Sequence, residues 1–459
     1  MTMGDHPTNQ EDYVYDIIII GGGVVGLAVL RAATLAGWTC ALVEKEADLL
    51  SHASGGNSGI LCTGVDAAIG TLERALIRDS ISQIRPFLKA LNVPFRPCGS
   101  LVCQWEWDKL STTTGYKSPL TQVLAQSHDA GDIDATRLAP HQLGQWEPNV
   151  STLSVGAIHI PGEIVLDPWL YSVALAAHAR ENGAVIITNF DFDPVETWFE
   201  EDAQVWNVVR NIDTDSTMNS PAPTSLRGKA IVNATGIMAD VIQKQVPGIL
   251  SPVWQARPRR GQYRVFVADN VTSITHPIQP IPTQHSKGIF CFSTLYGHIV
   301  VGPTAQEQES KHDRTPDPGV ADELTSFILR IIPDLDPHQQ HVGDFVGIRP
   351  GSTERDYQMY LSARRKWVVA AGIRSTGLTA SLGIGRHVVH LLQSVLPTPR
   401  PSGIRTTPLP SVKELVREYH RKKDGLVTIH GYLYRVTHPL TKFGWDARTG
   451  IAASAKSDL

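Results

Sequence analysis

The sequence predicts an α/β fold, α+β overall, in which a discontinuous α/β domain is interleaved with a β-rich domain. Three observations lead to this prediction. At 459 residues the chain is longer than one ordinary hydrophobic core can fill. A strand–helix–strand pattern stands near its beginning, and further buried-strand patterns recur in segments that irregular, proline-containing stretches separate. We therefore expect one domain to be assembled from three segments of the chain and the other from the two stretches between them.

The first predicted elements form a βαβ unit. Residues 15–20 end in a run of isoleucines, as expected for a strand that is buried on both faces. A glycine turn follows, then a helix over residues 24–36 that ends at Gly37, and a second apolar strand over residues 39–43. Two strands joined by a helix in this way are predicted to lie parallel in one sheet.

Later elements extend the α/β domain in two further segments. Residues 168–182 predict a helix, with Asp167 as its N-cap and Gly183 at its end. An apolar strand over residues 367–371 leads through a glycine-rich turn to a helix over residues 382–396. The predicted bounds are residues 15–90, 167–250 and 351–396 for the α/β domain, 91–166 and 251–350 for the β-rich domain, and 397–459 for a C-terminal extension.

Composition excludes several classes of function. The chain is 42% hydrophobic and 19% charged with a formal net charge of −4, so it lacks the basic excess of a nucleic-acid-binding protein. No stretch approaches the roughly 18 uninterrupted apolar residues of a transmembrane helix. His430 and His438 have no metal-ligand partner at a suitable spacing, so we predict no metal.

The cysteines and the N-terminal residues indicate a reducing compartment. The five cysteines form no Cys-x-x-Cys pair, and an odd number argues against a disulfide framework. Residues 1–16 are acidic and contain no Arg or Lys, unlike a signal peptide or a mitochondrial presequence. We therefore expect the protein to be cytoplasmic.

A glycine-rich turn carries the strongest functional signal. Gly21, Gly23 and Gly26 form the pattern Gly-x-Gly-x-x-Gly between a predicted strand and a predicted helix, the context of a Rossmann-like dinucleotide site. The first glycine permits the tight turn, the second lets the backbone approach a pyrophosphate, and the third lets the helix pack on the strand. Glu44 ends the next strand about 20 residues further on, where a carboxylate accepts hydrogen bonds from a ribose and repels a 2′-phosphate. We therefore predict that FAD or NAD, rather than NADP, is bound here by Gly21, Gly23, Val25, Gly26, Glu44 and Lys45.

Two further turns favour FAD over NAD. FAD is the longer cofactor and needs contacts for its ribityl chain and its ring. Ala234, Thr235 and Gly236 follow one predicted strand, and the glycine-rich turn at residues 372–379 follows another, so both let the backbone approach an extended cofactor. The pattern of Gly383-x-Gly385 lacks the third glycine of a second dinucleotide fingerprint. We therefore expect FAD as cofactor, with electrons that enter from the substrate itself.

Several segments resemble the D-amino-acid-oxidase-like (DAO) superfamily of FAD-dependent oxidoreductases. They are residues 15–64, with SGGNSGIL at 54–61 and CTG at 62–64, then GIRP at 347–350 and AAGIRSTGLTAS at 370–381. The resemblance covers about residues 15 to 395. It is closest to the glycerol-3-phosphate dehydrogenase-like and L-2-hydroxyglutarate dehydrogenase-like branches, and it implies that the α/β domain is an FAD-binding domain and the β-rich domain a substrate domain.

The resemblance also implies roles for individual residues. Asn57, Ser58 and Gly59 would lie beside the isoalloxazine ring and the pyrophosphate. Arg349 would anchor an anionic substrate, since a guanidinium forms a two-pronged pair with a carboxylate or phosphate; the alternative is an arginine in a surface salt bridge. Along the ribityl chain and ring the resemblance places Gly372, Arg374, Gly377, Leu378 and Thr379.

One residue departs from the family pattern. Those branches usually have a histidine where this chain has Cys62, and that histidine is a candidate proton acceptor. Cys62 either inherits the role or is a small residue that fills space, which we favour. His298, predicted to precede a strand, and Tyr263 are further candidates for contact with substrate, although a lone His or Tyr in a β-rich domain is more often structural.

These observations lead to a hypothesis about function. We expect a dehydrogenase or oxidase that passes a hydride from a small anionic hydroxy compound to flavin N5. The resemblance implies L-2-hydroxyglutarate or sn-glycerol 3-phosphate as substrate, and the sequence does not choose between them or between oxygen, a quinone and another carrier as electron acceptor. One alternative is an amino-acid or amine oxidase of the same superfamily. Another, favoured by the missing histidine, is a catalytically silent flavoprotein that acts as an assembly or interaction factor.

Overall fold

A computed structural model describes residues 13–108, 118–212, 222–282, 288–399 and 403–448. Within these ranges helices and strands are mixed as the α/β class requires, and the predicted fold class is confirmed. None of the helices in the described ranges is long and apolar enough to span a membrane.

The secondary structure follows the predicted order closely in the first half of the chain. Its elements are β1 (Val14–Ile20), α1 (Val24–Leu35), β2 (Cys40–Val43), β3 (Ile60–Leu61), α2 (Leu72–Ala90), β4 (Phe95–Pro97), β5 (Ser100–Trp105), α3 (Pro119–Asp129), β6 (Thr136–Leu138), α4 (Pro140–Trp146), β7 (Ser154–Ile160), β8 (Ile164–Leu166), α5 (Pro168–Glu181) and β9 (Val185–Ile187). The helix predicted after Asp167 is confirmed, since the Asp167 side chain accepts hydrogen bonds from the backbone N–H groups of Trp169 and Leu170.

The second half of the chain is richer in strands. Its elements are β10 (Phe192–Glu200), β11 (Val205–Arg210), β12 (Ser225–Asn233), α6 (Ala239–Gln245), β13 (Ala256–Val267), β14 (Ile278–Pro280), β15 (Phe290–Ser293), β16 (His298–Gly302), β17 (Gln306–Glu307), α7 (Pro318–Ile331), β18 (His341–Ser352), β19 (Gln358–Ser362), β20 (Trp367–Ala371), α8 (Gly377–Gln393), α9 (Val412–Lys422), β21 (Leu426–Ile429), β22 (Tyr432–Arg435) and α10 (Pro439–Asp446).

The α/β domain is built on a sheet whose central strands are parallel. β9, β2, β1, β12 and β20 lie side by side in this order, and β19 adds an antiparallel edge strand. β10 and β11 form an antiparallel hairpin that pairs with the first half of β12. Because β2 and β12 lie on opposite sides of β1, the carboxyl ends of β1 and β12 border a crevice, where open α/β sheets bind ligands.

A second sheet draws its strands from residues 100–160 and 256–352. The order is β17, β13, β16, β15, β14, β5, β7 and β6, with β18 paired to β13 along almost its whole length. This pairing places the last residues of β18 against the first residues of β13, next to the crevice of the parallel sheet. β3, β8 and β4 form a small third sheet.

The first strand is buried on both faces, as its sequence predicts. Ile17 and Ile19 belong to the apolar core beneath α1, α5 and α8. Ile18 and Ile20 belong to a second core on the opposite face of the sheet, which contains three fully buried tryptophans. The isoleucine run therefore joins two layers and fixes the position of the glycine turn that follows it.

Helix α8 begins earlier than the sequence predicts, at Gly377 rather than near residue 382. Glycines disfavour helix, but here two of them allow close helix packing. A Cβ at residue 383 would lie 2.3 Å from the backbone oxygen of Leu76 in α2, and one at residue 385 would lie 2.6 Å from that of Ala28 in α1. Tertiary packing therefore offsets the low helix propensity of this glycine pattern.

The C-terminal segment, residues 403–448, packs on the α/β domain. It consists of α9, the hairpin of β21 and β22, and α10. Leu415 and Val416 of α9 are buried in the core beneath α1 and form the apolar face of this helix. Trp169 of α5 donates from its indole N–H to the Arg435 carbonyl oxygen at 2.9 Å.

Candidate active site

A cavity of about 1380 Å³ opens between the two large sheets. Its wall combines the carboxyl ends of β1, β2 and β12, the loop at residues 50–58, the turn after β20, and parts of β13 and β18. Sites for one small molecule usually occupy roughly 300–1,000 Å³, so this cavity has room for a dinucleotide and a small substrate together.

The glycine turn after β1 forms one end of the cavity. Gly21 has φ of +109°, a conformation that favours glycine, and lines the cavity with Gly23 and Val25. A Cβ at residue 23 would meet only Ser54 Oγ, at 3.2 Å, so the backbone there faces open space. Gly26 does not line the cavity. It packs against the turn instead, since a Cβ there would stand 1.9 Å from the Gly21 carbonyl oxygen. The turn thus offers a phosphate path over Gly23 and close helix–strand packing at Gly26.

Glu44 lies at the carboxyl end of β2 and lines the same end of the cavity. One of its oxygens, Oε2, accepts a hydrogen bond from the Gly22 N–H at 2.6 Å, and Oε1 accepts one from the Glu46 N–H at 3.0 Å. A carboxylate oxygen accepts more than one hydrogen bond, so both oxygens retain capacity for ribose hydroxyls. The neighbouring Lys45 also lines the cavity and forms a salt bridge with Glu46 at 3.5 Å.

The loop at residues 50–58 closes over the start of α1. Ser54 Oγ accepts a hydrogen bond from the Val24 N–H at 2.9 Å, a contact that the sequence analysis missed. Its signal was the position of Ser54 in the Ser/Gly/Asn-rich run after the βαβ unit. Asn57 and Ser58 line the cavity, whereas Gly59 turns away from it and packs against Leu166.

The Asn57 side chain folds this loop onto itself. Asn57 Nδ2 donates to the Ser54 carbonyl at 2.7 Å, and Asn57 Oδ1 accepts from the Gly59 N–H at 2.8 Å. Both polar atoms of the Asn57 side chain therefore form hydrogen bonds within the loop. The part of residues 57 and 58 that remains to contact a cofactor is the backbone.

The two later turns reach the cavity only in part. Every residue of the Ala234–Thr235–Gly236 turn lines it. From the turn after β20, Arg374, Gly377 and Leu378 line it, whereas Gly372 and Thr379 lie outside. Gly372 has φ of +68° and forms the turn itself, and Thr379 faces inward from the first turn of α8.

Arg349 stands in the cavity wall on β18, directly opposite Arg259 on β13. Its Nη2 donates to the Thr304 carbonyl at 2.9 Å. Burial lowers the pKa of its guanidinium, and among the described residues no carboxylate forms an ion pair with it. This position does not agree with the alternative of a surface salt bridge. A partly desolvated guanidinium without a counter-charge is suited to bind an anion.

Tyr263 lines the cavity from β13 beside Arg349. It is 5% exposed and stacks on Phe345 with ring centroids 4.5 Å apart. Burial raises the pKa of Tyr263 to about 12, while the charge of Arg349 lowers it. The phenol is therefore neutral at physiological pH and is suited to donate a hydrogen bond rather than to accept a proton.

Cys62 also lines the cavity and is half-buried. Its N–H donates to Thr379 Oγ1 at 3.2 Å, and its Sγ lies 3.6 Å from the same oxygen. The first turn of α8 therefore fixes the position of Cys62. Thr379 does not line the cavity itself, but it holds Cys62, which does.

The structure does not bring His298 to the cavity. Its side chain is buried, and its Nδ1 has no hydrogen-bond partner among the described residues. Burial and the charge of Arg448 in the C-terminal segment lower the pKa of His298. The interpretation of His298 as a proton acceptor therefore does not agree with its position.

A cluster of two hydroxyls and a carboxylate was missed by the sequence analysis. Thr376 Oγ1 donates to Glu73 Oε1 at 2.6 Å, and the Tyr357 hydroxyl lies 2.7 Å from Thr376 Oγ1. Glu73 and Thr376 line the cavity. Burial, and then the charges of Glu73 and Cys62, raise the pKa of Tyr357 well above its usual value. Glu73 and Thr376 are 303 residues apart, so only the fold connects them.

The site fits a bound dinucleotide. The backbone over Gly23 is open, Glu44 faces the same end, and the cavity continues past the loop at 50–58 to the turn after β20. In the described part of the chain, no group of three or more His, Cys, Asp or Glu side chains could hold a metal ion.

A family model described as DAO, FAD dependent oxidoreductase, matches residues 16–391. The chain belongs to this family. The resemblance drawn from the sequence is thereby confirmed, the protein is an FAD-dependent oxidoreductase, and FAD is its cofactor.

Individual relatives in the family share much of this chain. The glycerol 3-phosphate dehydrogenase of Caloramator mitchellensis is 27% identical over 384 residues, which are 83% of this chain and 74% of that protein. The mitochondrial L-2-hydroxyglutarate dehydrogenase of Homo sapiens is 24% identical over 296 residues, 63% of this chain and 61% of that protein. The solved structure of FAD-bound L-α-glycerophosphate oxidase from Mycoplasma pneumoniae superposes with a TM-score of 0.76 at 25% identity and covers 87% of this chain and 100% of that one.

Proposed function

We propose that the protein oxidises a small, phosphate-bearing hydroxy compound, with sn-glycerol 3-phosphate as the favoured substrate. The observation that carries the proposal is the pair of Arg349 and Arg259, which are direct neighbours on the cavity face of β18 and β13. Two arginines at paired positions suit a phosphate dianion, which offers more acceptor oxygens than one carboxylate; Arg349 is the one without a carboxylate partner among the described residues, since Arg259 also forms a salt bridge with Glu307 at 3.3 Å. The relatives named for glycerol 3-phosphate also match a larger share of the chain than the one named for L-2-hydroxyglutarate.

The protein's own residues orient the substrate in this proposal. Arg349, with Arg259 beside it, binds the anionic group, and neutral Tyr263 donates a hydrogen bond to a substrate oxygen. Bound FAD supplies the hydride acceptor. We also propose that FAD contacts the predicted cofactor residues that line the cavity, from Gly21 and Gly23 to Leu378.

The hydroxyl proton needs an acceptor in place of the family histidine. Tyr263 does not suit this role because its pKa is raised to about 12. We propose Glu73, whose carboxylate lines the cavity and accepts a hydrogen bond from Thr376 at 2.6 Å. The Thr376 hydroxyl then passes its proton to Glu73 while it receives the proton of the substrate hydroxyl.

Anaerobic reduction of the bound flavin tests the substrate class. The purified yellow protein is mixed with sn-glycerol 3-phosphate, glycerol, L-2-hydroxyglutarate or glycine, and flavin absorbance is followed by stopped flow. We expect glycerol 3-phosphate to bleach the flavin, and glycerol, which lacks only the phosphate, to bleach it at least about 100-fold less efficiently.

Other outcomes of this panel contradict the proposal in distinct ways. If L-2-hydroxyglutarate bleaches the flavin best, the substrate is a dicarboxylate rather than a phosphate ester. Bleaching by glycine indicates an amine oxidase. No bleaching by any compound, with dithionite still effective, favours a silent flavoprotein. Hydrogen peroxide released in air would identify oxygen as the electron acceptor.

A further inference from the structure

A polar loop over residues 308–317, called the strap below, leaves the β-rich sheet after β17 and returns before α7. At its start the Gln308 N–H donates to the Pro258 carbonyl at 3.2 Å. At its end the Asp317 N–H donates to Gln262 Oε1 at 2.8 Å, and Gln262 Nε2 donates to the Asp317 carbonyl at 2.9 Å. Both ends of the strap are therefore fixed on β13.

The middle of the strap contacts the α/β domain at two places. Lys311 forms a salt bridge at 2.9 Å with Asp240, which lies in the first turn of α6 after β12. Arg314 Nη1 donates to the carbonyl of Ser51, in the loop that follows β2, at 2.7 Å. Because β12 and β2 lie on opposite sides of β1, the strap runs from one side of the crevice to the other.

Contacts within the β-rich domain fix the backbone on both sides of Arg314. Ser310 Oγ accepts a hydrogen bond from the Asp313 N–H at 3.0 Å, and Asp313 Oδ1 accepts one from the Thr315 N–H at 2.9 Å. Arg260 of β13 lies 3.8 Å from the Asp313 carboxylate and donates to the Thr315 carbonyl. The strap is therefore a shaped turn that places Arg314 at the crevice.

Three basic side chains of the strap line the cavity: Lys311, His312 and Arg314. Among the described residues no carboxylate forms an ion pair with Arg314, and the Ser51 carbonyl takes only one of its five N–H donors. The neighbour of Ser51 reaches the glycine turn itself, since the Leu50 N–H donates to the Gly22 carbonyl at 3.2 Å. Arg314 therefore stands beside the turn that is predicted to carry the phosphates.

We propose that the strap covers the bound cofactor and that Arg314 donates a hydrogen bond to a phosphate oxygen of FAD. A guanidinium only donates, and its charge favours an anionic acceptor, which in the ADP half of FAD means the pyrophosphate. The start of α1 supplies backbone N–H groups to the same phosphates from below. The inference rests on FAD lying along the glycine turn, as proposed above, and not on which substrate is oxidised.

The substitution Arg314→Gln tests the phosphate contact by ligand binding alone. Full-length protein freed of FAD is titrated with FAD, and ADP or adenosine is added as a competitor. We expect the dissociation constants of FAD and ADP to rise about tenfold, and that of adenosine, which lacks phosphate, to stay unchanged. Arg314→Lys should give an intermediate result, because lysine keeps the charge but lacks the planar fork.

A matched control is Arg417→Gln, which removes the same charge from an exposed position on α9 outside the cavity lining. It should leave all three affinities unchanged. If Arg314→Gln weakens adenosine as much as ADP, Arg314 only holds the Ser51 loop in place, and the phosphate contact is overturned. Affinities equal to those of the control would overturn the contact as well.

Hydrogen exchange of the unaltered protein provides an independent measurement. We expect ADP to protect backbone amides in residues 308–317 and in residues 50–58, and adenosine to protect residues 308–317 much less. Protection of residues 50–58 by both FAD and ADP with no change at 308–317 would overturn the inference. If ADP does not displace FAD from the unaltered protein, the inference is overturned together with the phosphate path over Gly23, whatever substrate the flavin assay identifies.

Discussion

The guanidinium of Arg349 lies directly over Gly261: a Cβ at residue 261 would stand 2.8 Å from Arg349 Nη2. The two residues are on paired strands, and Gly261 leaves the space through which the arginine reaches the cavity. No local sequence pattern distinguishes this glycine. Arg349 can take this position because residue 261 has no side chain. The anion site therefore depends on both residues.

Gly261→Ala should therefore impair substrate binding without affecting FAD. The added methyl group displaces Arg349, and we expect KM to rise about tenfold, equivalent to about 1.4 kcal/mol, while the dissociation constant of FAD stays unchanged. Gly144→Ala in α4 is the control, since an added Cβ there has nothing within 4 Å. An unchanged KM in Gly261→Ala would show that Arg349 does not need this space.

Gly23→Val should abolish FAD binding. A Cβ at residue 23 points into the open end of the cavity beside Ser54 Oγ, where the pyrophosphate is expected, and valine adds two further methyl groups there. The purified variant should be colourless with an unaltered far-UV circular dichroism spectrum. Glu44→Ala should weaken binding more mildly, by about 1–3 kcal/mol for lost charge-assisted hydrogen bonds. A Gly23→Val protein with one FAD per chain would contradict the assignment of the site.

Local sequence signals predicted the features that depend on neighbouring residues. They did not predict the features that depend on contacts between distant segments of the chain. The turn at Gly21 and the cap at Asp167 depend on neighbours within a few residues, so pattern and position are enough to identify them. The early start of α8 depends on glycine contacts with α1 and α2, and the lowered pKa of His298 depends on its burial and on the charge of Arg448. Such contacts between distant segments leave no periodic trace in the sequence.

NADH and NADPH should not reduce the flavin at a useful rate. The chain has one dinucleotide fingerprint, and the pattern of Gly383 and Gly385 that came closest to a second one is used for helix packing. A stopped-flow trace with either nucleotide under anaerobic conditions should show no bleaching on the timescale of substrate reduction. Rapid bleaching would mean that electrons do not come directly from the substrate.

Arg349→Ala should lower kcat/KM by a factor that corresponds to about 2–5 kcal/mol, the cost of leaving a buried anionic group unpaired. Arg349→Lys should not restore activity fully, because an ammonium group lacks the two-pronged geometry. Arg259→Ala should have a smaller effect, since Arg259 already forms a salt bridge with Glu307 at 3.3 Å. Unchanged kinetics in Arg349→Ala, with FAD still bound, would remove this residue from the anion site.

Cys62→Ser should be nearly silent in kcat, whereas Glu73→Gln should lower it strongly. If Cys62 had inherited the role of the family histidine, its thiol would need a pKa below the usual value of about 8.5, and the pH–rate profile would show that ionisation. The serine variant retains a small polar side chain beside Thr379 Oγ1 but cannot form a thiolate. Glutamine at residue 73 still accepts a hydrogen bond from Thr376, so Glu73→Gln removes the proton acceptor while it keeps the contact.

The two variants separate the alternatives when their kcat values are compared at full FAD occupancy. We expect a loss of more than about 100-fold in Glu73→Gln, a barrier increase of about 2.7 kcal/mol, and a loss of less than about threefold in Cys62→Ser. The reverse pattern would make Cys62 the acceptor. Cys62→His should be tolerated, because the branches that the sequence resembles usually have a histidine at this position. A loss in neither Cys62→Ser nor Glu73→Gln would favour an amine substrate, whose deprotonated nitrogen needs no separate base.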